Sequence, residues 1–279
     1  MHHGNGTQDL TIDDPNISYI SLHRAAFGVP NSYFYPMTGR PNEVGMGSAA
    51  GTNLNIAFCA ARMGNIEYAA AMSELVLPFL SEYQPDLVLI SCGLDAAKGD
   101  LLGDCELMPC FYHDMTKSIL ATAGLDIPIV VALEGGYNVA VISLCMEAVA
   151  MAILNEDYNE DYDNKYTKEE TNLKKEYSNN DDARETRLDQ GRQVLNKYWN
   201  YHSTDAQKKG NIKKAAIRAI NKSMKAIRAT PMWCDTLQMN EIVQQSFIPK
   251  KHEYRTRTRS KQKSVSSDAL TESLQQLSI

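Results

Sequence analysis

The hydrophobic pattern of the first 155 residues alternates between two spacings. Short apolar runs bounded by Pro, Gly or Asn predict strands over residues 17–22, 53–58, 87–93 and 127–133. Apolar residues at helical spacing predict helices over residues 65–84, 109–122 and 140–154. The last two strands are almost continuously apolar, which indicates burial on both faces, and Pro78 is expected to kink the first helix. This alternation predicts an α/β fold with a parallel sheet.

The composition changes after residue 155. Residues 156–190 are crowded with charged and amide side chains and predict a disordered linker. A short helix over residues 193–201 could dock on the domain. Residues 210–228 form an amphipathic pattern with one Lys/Arg face, which fits either an ordinary packed helix with a solvated face or a helix for a membrane or partner. The predicted division is a domain at 1–155, the linker at 156–190, a helical extension at 191–230 and a mostly disordered basic tail at 231–279.

Composition and charge exclude several classes of protein. A chain of 279 residues with 43% hydrophobic residues can form a sizeable core. The net charge of -6 argues against a generally nucleic-acid-binding surface, so no direct nucleic-acid partner is expected. Six cysteines without a C-x-x-C pair fit reduced intracellular thiols. No secretory signal and no apolar run of about 18 residues is present, so no membrane partner is expected.

Polar residues follow three of the predicted strands and carry the candidate chemistry. Asp95 comes just after one buried strand, Glu134 and Tyr137 come after the next, and His23 ends the first. Parallel strands bring such ends to one rim, where ligands bind in α/β folds. Histidine and carboxylate suit zinc, and a tyrosine hydroxyl can donate to a developing oxyanion. The pattern favours a metal-assisted hydrolase.

Simpler interpretations of the same residues remain open. Asp95 could cap the following turn, because Asp is common at caps and turns. His2 and His3, near the start of the chain, could be exposed and inert. The double glycine at Gly135 and Gly136 would let backbone approach a substrate closely.

Five motifs together resemble the class II histone deacetylases across roughly residues 1–155: H-H-G-N-G-T-Q, Y-I-S-L-H-R, Y-P-x-T-G, G-L-D-A-A-x-G-D-x-L-G and L-E-G-G-Y-N. Glu134 within the last motif favours class II over class I. The K-Y-W segment at 197–199 is similar to class IIa members. The resemblance implies a three-layer α/β/α fold of the arginase/deacetylase type with a central parallel sheet, its N-terminal part missing.

The resemblance assigns roles to individual residues. It implies that His2 and Asp95 are zinc ligands and that Tyr137 polarises the acetyl carbonyl. It places Tyr35, Gly135 and Gly136 along the acetyl-lysine tunnel. It also implies a structural potassium ion, bound by Ser21, Leu22 and the carbonyl of His2.

The sequence departs from the family pattern at its first residue. Met1 stands between His2 and the position of the first aspartate ligand, so that aspartate and the upstream His-His pair of general base and acid are not in this sequence. His3 matches the neighbour of the ligand and is not a substitute. The chain is therefore expected to have little deacetylase activity alone and to fold poorly, and a catalytically dead scaffold that binds a corepressor is the alternative.

The family also implies partners and a location. Its members hydrolyse N-acetyl-lysine in histones or other proteins and repress transcription in corepressor complexes. A basic cluster at 250–263 suggests an import receptor, and a leucine-rich pattern suggests an export receptor: Leu270, Leu274, Leu277 and Ile279. Phosphorylation at Ser260 or Ser264 would reduce the positive charge that an import receptor binds. The sequence thus predicts shuttling between nucleus and cytoplasm.

Overall fold

The computed structural model describes residues 1–124, 126–158, 181–199 and 212–233. All of them lie in one compact unit, Met1–Pro249. The described helices are α1 Asn5–Thr11, α2 Asn65–Ala71, α3 Leu77–Tyr83, α4 Pro109–Ala123, α5 Val139–Ile153, α6 Asp181–Leu195 and α7 Lys214–Arg228. The described strands are β1 Tyr19–Arg24, β2 Asn53–Phe58, β3 Val88–Cys92 and β4 Ile129–Leu133. Residues 159–180 of the predicted linker and residues 234–279 of the predicted tail, with its proposed receptor signals, lie outside the described residues.

The strands pair in parallel, as the sequence predicts. β1 pairs with β2, with Tyr19 opposite Asn53, and β3 pairs with β4, with Val88 opposite Ile129. The predicted helix over residues 65–84 is interrupted, because a π-helical turn at Met72–Val76 separates α2 from α3. Pro78 lies in the first turn of α3, directly after this π-helical turn.

The core lies around β2, which is buried along its whole length. The apolar side of α7 packs on this strand, with Ile220, Met224 and Ile227 fully buried. Ser223, on the same side of α7, donates a hydrogen bond from Oγ to the Asn55 carbonyl at 2.6 Å. α7 is therefore a packed helix with a solvated basic face. No helix in the described ranges is long and apolar enough to cross a bilayer.

The expectation that the third and fourth strands are buried on both faces is wrong. Leu89 in β3 is 70% exposed, and Val130, its partner in β4, is 53% exposed. Ile90 and Val131 point the other way and pack against the core. Side chains alternate across a sheet, and no element among the described residues covers the face that carries Leu89.

The C-terminal helices begin and end at other residues than predicted. The helix expected over 193–201 is instead α6, so helical structure starts at Asp181, inside the predicted linker. The turn after α6 buries Trp199, whose Nε1 donates to Glu74 at 2.7 Å. Tyr198 in the same turn donates from its hydroxyl to Asp114 Oδ2 at 2.9 Å. Burial next to that carboxylate raises the pKa of Tyr198, so the hydroxyl stays a donor.

Candidate active site

Asp95 lies in the 3₁₀ turn Leu94–Ala96 that follows β3. It is buried, with 2% of the residue exposed. Its Oδ1 accepts a hydrogen bond from the α-amino nitrogen of Met1 at 2.9 Å. Gly103 covers the turn so closely that a β-carbon there would overlap the Asp95 carbonyl oxygen. The buried carboxylate is thus fixed at the end of the strand, where the sequence predicts it.

His2 is oriented by the loop that carries Phe34 and Tyr35. Its ring stacks on Phe34 with centroids 4.9 Å apart, and its Nδ1 lies 2.8 Å from the Tyr35 carbonyl oxygen. A carbonyl can only accept, so Nδ1 carries the proton and Nε2 of the neutral ring carries the lone pair. Nε2 lies 3.9 Å from Asp95 Oδ2. An imidazole nitrogen and a carboxylate oxygen therefore lie close together at the end of β3.

Tyr137 reaches the same region across a glycine. Gly135 and Gly136 both have positive φ angles, 83° and 124°, which favour glycine. A β-carbon on Gly135 would lie 3.2 Å from Asp95 Oδ2 and 3.7 Å from the Tyr137 hydroxyl oxygen. The missing side chain at this position therefore leaves an opening between the carboxylate and the hydroxyl. Tyr137 itself is 49% exposed, so this side of the site is open to solvent.

Asp100 joins the loop after Asp95 to the loop that carries Tyr137. Its Oδ2 accepts from the backbone nitrogen of Tyr137 at 2.7 Å, and its Oδ1 accepts from those of Leu102 and Gly103 at 2.8 and 3.0 Å. Asn138 adds a second link, donating from Nδ2 to the Gly99 carbonyl at 2.9 Å. The sequence pattern did not predict this role of Asp100. The sequence feature that could have indicated it is the Gly-Asp pair at 99–100, which lies inside a glycine-rich loop.

Two polar residues predicted at the strand ends do not join the site. His23 is fully buried within β1; its Nε2 donates to the Gly39 carbonyl at 3.0 Å, and its Nδ1 accepts from Ser21 Oγ at 2.9 Å. Burial lowers the pKa of His23 to about 3, so the ring is neutral. Glu134 is exposed on the sheet surface, where its Oε1 lies 3.4 Å from Ser91 Oγ. A residue at the end of a strand points along one of two faces, and the pattern alone does not decide which.

The His3 side chain lies in a buried hydrogen-bond network that is separate from the contacts of His2. Its Nε2 donates to Gln8 Oε1 at 3.0 Å, and its Nδ1 accepts from Thr38 Oγ1 at 2.8 Å. Desolvation lowers the pKa of His3. Both ring nitrogens of His3 are therefore engaged in hydrogen bonds within the fold.

The family model described as the histone deacetylase domain matches residues 1–153. The chain belongs to the histone deacetylase family. Histone deacetylase clr3 of Schizosaccharomyces pombe is 43% identical over 156 residues, which are 55% of this chain and 22% of that protein. Histone deacetylase 15 of Arabidopsis thaliana is 40% identical over 157 residues, 56% of this chain and 27% of that protein.

Solved structures of histone deacetylases share the fold. The structure of the histone deacetylase Clr3 aligns with a TM-score of 0.53 at 35% identity and covers 73% of this chain and 31% of that one. The crystal structure of the HDA15 HD domain aligns with a TM-score of 0.52 at 33% identity. The alignment covers 71% of this chain and 48% of that one. The fold is therefore the α/β arginase/deacetylase fold. The chain spans about a fifth to a quarter of the length of the two curated relatives.

The other residues assigned by the deacetylase resemblance lie in the same part of the fold. Tyr35 is 59% exposed, and its ring meets that of His2 edge-on with centroids 5.8 Å apart. Ser21 is buried in β1 and holds His23 through its hydroxyl, and Leu22 follows it with a half-buried side chain. The β1 strand continues beside the start of the chain, because the Arg24 nitrogen donates to the Met1 carbonyl at 3.0 Å.

The donors around Asp95 fit zinc in kind but fall short in number. An imidazole nitrogen oriented by a carbonyl and a buried carboxylate oxygen are ordinary zinc ligands, and a catalytic zinc takes three from the protein. Within the described ranges, no group of three or more His, Cys, Asp or Glu side chains is placed to hold a metal ion. His2 and Asp95 therefore offer two candidate zinc donors, one fewer than a catalytic zinc takes from the protein.

Proposed function

We propose that this chain forms part of the active site of a zinc-dependent protein-lysine deacetylase. The observation that carries the proposal is the convergence of His2 Nε2 and Asp95 Oδ2, 3.9 Å apart, at the opening beside Gly135. Family membership supports the reaction class, because the relatives are named histone deacetylases and are hydrolases. The substrate in this proposal is N-acetyl-lysine in histones or other proteins.

Each residue has a distinct task in the proposed site. His2 and Asp95 bind the zinc ion, which, when bound, polarises the acetyl carbonyl and activates water. The carbonyl of Tyr35 holds the His2 ring in the tautomer that ligates through Nε2. The Tyr137 hydroxyl donates a hydrogen bond to the carbonyl oxygen as negative charge develops there. Tyr35, Gly135 and Gly136 line the tunnel for the acetyl-lysine side chain.

A third ligand and the proton-transfer residues are proposed to come from outside this sequence. The matched region makes up 22% and 27% of the lengths of the two relatives, so each of them has ample length outside this region for a third ligand and the proton-transfer residues. In the same proposal, a structural potassium ion is held by Ser21, Leu22 and the His2 carbonyl.

The finer assignments also remain proposals. The Glu134 motif supports a class II protein, and residues 197–199 favour class IIa. Repression of transcription in a corepressor complex, in the nucleus and cytoplasm, follows from this assignment. The same proposal includes import into and export from the nucleus, through receptor signals in residues 250–279.

Metal binding by the purified chain tests the proposed ligands. Cobalt(II) is titrated into the parent chain and into His2→Ala, Asp95→Ala and Glu134→Ala variants, and the visible absorption and the affinity are measured. We expect weak binding by the parent, loss of binding in the first two variants and no change in the third, whose carboxylate lies on the sheet surface. Binding that survives both His2→Ala and Asp95→Ala would contradict the assignment.

A non-catalytic scaffold is the second candidate. It is favoured by the finding of two converging metal donors, and no third, among the described residues. A scaffold would bind a corepressor equally well with or without a functional site. Asp95→Ala in the protein produced in cells should then leave corepressor capture unchanged, whereas the deacetylase proposal expects loss of chelator-sensitive activity in the same sample.

A further inference from the structure

The exposed side of α7 carries a row of positive charge. Four residues of this helix are exposed, and all four are cations: Lys214, Arg218, Lys222 and Lys225. They are spaced by four, four and three residues, which places them on one side of a helix. We call them the cationic stripe. The helix contains no Asp or Glu.

The stripe is not used in holding the fold together. In the described part of the chain, no carboxylate lies within ion-pair distance of any of its four side chains. The neighbouring Lys213, by contrast, is paired with Glu67 at 3.2 Å. Like charges at this spacing repel each other and weaken a helix, so the stripe is a cost to folding that an anionic partner would relieve.

The packing of α7 presents the stripe in a fixed geometry. The opposite side of the helix is anchored on β2 by Ile220, Met224 and the Ser223 hydrogen bond. At 1.5 Å per residue the four cations span about 16 Å along the helix axis. A rigid, straight row of positive charge complements a polymer with regularly spaced negative charge.

We propose that the cationic stripe binds the phosphate backbone of nucleic acid, independent of base sequence. Duplex DNA carries one negative charge per about 1.7 Å of its axis, so several phosphates lie within reach of the stripe. The overall negative charge of the chain does not exclude this, because screening limits charge interactions to about 10 Å at 0.1 M salt. The proposal does not depend on the deacetylase activity.

Two other anionic partners fit the surface less well. An amphipathic helix binds an anionic membrane by inserting its apolar side, but that side of α7 is buried in the core. A protein interface normally has an apolar centre, and none of the exposed residues of α7 is apolar. A phosphate backbone requires only charge.

Salt-dependent binding to a duplex tests the proposal. The full chain is passed over an immobilised duplex of about 20 base pairs at several salt concentrations, a length chosen to exceed the span of the stripe. The test variant carries Lys214→Gln, Arg218→Gln, Lys222→Gln and Lys225→Gln. The matched control carries four equivalent changes in the basic tail: Arg255→Gln, Arg257→Gln, Arg259→Gln and Lys261→Gln.

The stripe variant should bind at least about tenfold more weakly at low salt, and its slope of log affinity against log salt should fall by about 3 to 4, for four lost phosphate contacts. The Lys222→Gln/Lys225→Gln variant, which disturbs the helix less, should lose about half of that slope. Circular dichroism checks that each variant is folded.

Either of two results would overturn the proposal. The first is an unchanged slope in both stripe variants together with loss of binding in the tail variant, which would assign the interaction to the tail. The second is tighter binding, at equal salt, to phosphatidylserine vesicles or to polyglutamate than to the duplex, which would assign the stripe to a membrane or an acidic protein.

Discussion

At the scale of single residues, the candidate site is a set of short-range contacts, and only some of them could be predicted from the sequence. The positions of Asp95 and Tyr137 were predictable, because residues that follow parallel strands lie at one edge of the sheet in an α/β fold. The burial of His23 was not, since it depends on the Gly39 carbonyl in a distant loop. Asp100 was missed for the same reason: its partner, the Tyr137 nitrogen, is 37 residues away.

Replacing Asp100 tests whether this side chain positions Tyr137. Asp100→Asn keeps the shape but weakens three hydrogen bonds to backbone nitrogens, at a cost of about 1–3 kcal/mol. We expect faster hydrogen exchange at Tyr137, Leu102 and Gly103, measured by mass spectrometry of the peptides that contain them.

Asp126→Asn provides the matched control, because Asp126 is an exposed aspartate. It should leave exchange at all three positions unchanged. Equal exchange in the Asp100→Asn variant and the parent would mean that other contacts hold the loop.

At the scale of elements, periodicity predicted most of the helices and strands but not all of their surroundings. The range Asn53–Phe58 of β2 agrees with the prediction. α4 differs from it by one residue at its C-terminal end, and α5 differs by one residue at each end. α6 was missed, because its sequence is mostly polar and its few buried residues contact the rest of the fold. Propensity is a weak guide where tertiary packing decides.

The two tryptophans provide a test of how the C-terminal elements are held. Trp199 donates from Nε1 to the Glu74 carboxylate at 2.7 Å, and Trp233 donates from Nε1 to the Gly51 carbonyl at 2.6 Å. Hydrogen bonds to charged groups contribute about 1.5–3 kcal/mol, against about 0.5–1.5 for neutral ones. Trp199→Phe should therefore lower the free energy of unfolding by about 1 kcal/mol more than Trp233→Phe.

Urea unfolding followed by circular dichroism measures the difference between these two variants. Both changes leave a buried aromatic ring, so the loss of apolar area is similar. A larger loss in Trp233→Phe would show that the contact with Glu74 does not anchor the turn after α6.

At the scale of the whole molecule, the exposed face of β3 and β4 decides how the chain behaves in solution. Leu89 and Val130 lie side by side on it, at 70% and 53% exposure. An exposed apolar strand surface promotes association between chains. The sequence predicted apolar strands correctly, but their exposure depends on what lies against them, and no local pattern records that.

The chain should self-associate at micromolar concentration through this face. Leu89→Lys should increase the fraction of monomer in sedimentation or light scattering. Leu10→Lys is the matched control, because Leu10 is 83% exposed but lies on α1. If both variants associate as strongly as the parent, the face of β3 and β4 is not the contact.

The central claim, that this chain carries two zinc ligands and the catalytic tyrosine but not a complete site, is tested most directly by a deacetylase assay. Purified chain is incubated with zinc and with acetyl-lysine and trifluoroacetyl-lysine peptides, alongside a Tyr137→Phe variant. Groups that act as a unit depend strongly on one another, so we predict the same background turnover in both samples. Turnover by the parent that a chelator and Tyr137→Phe each abolish would contradict the claim.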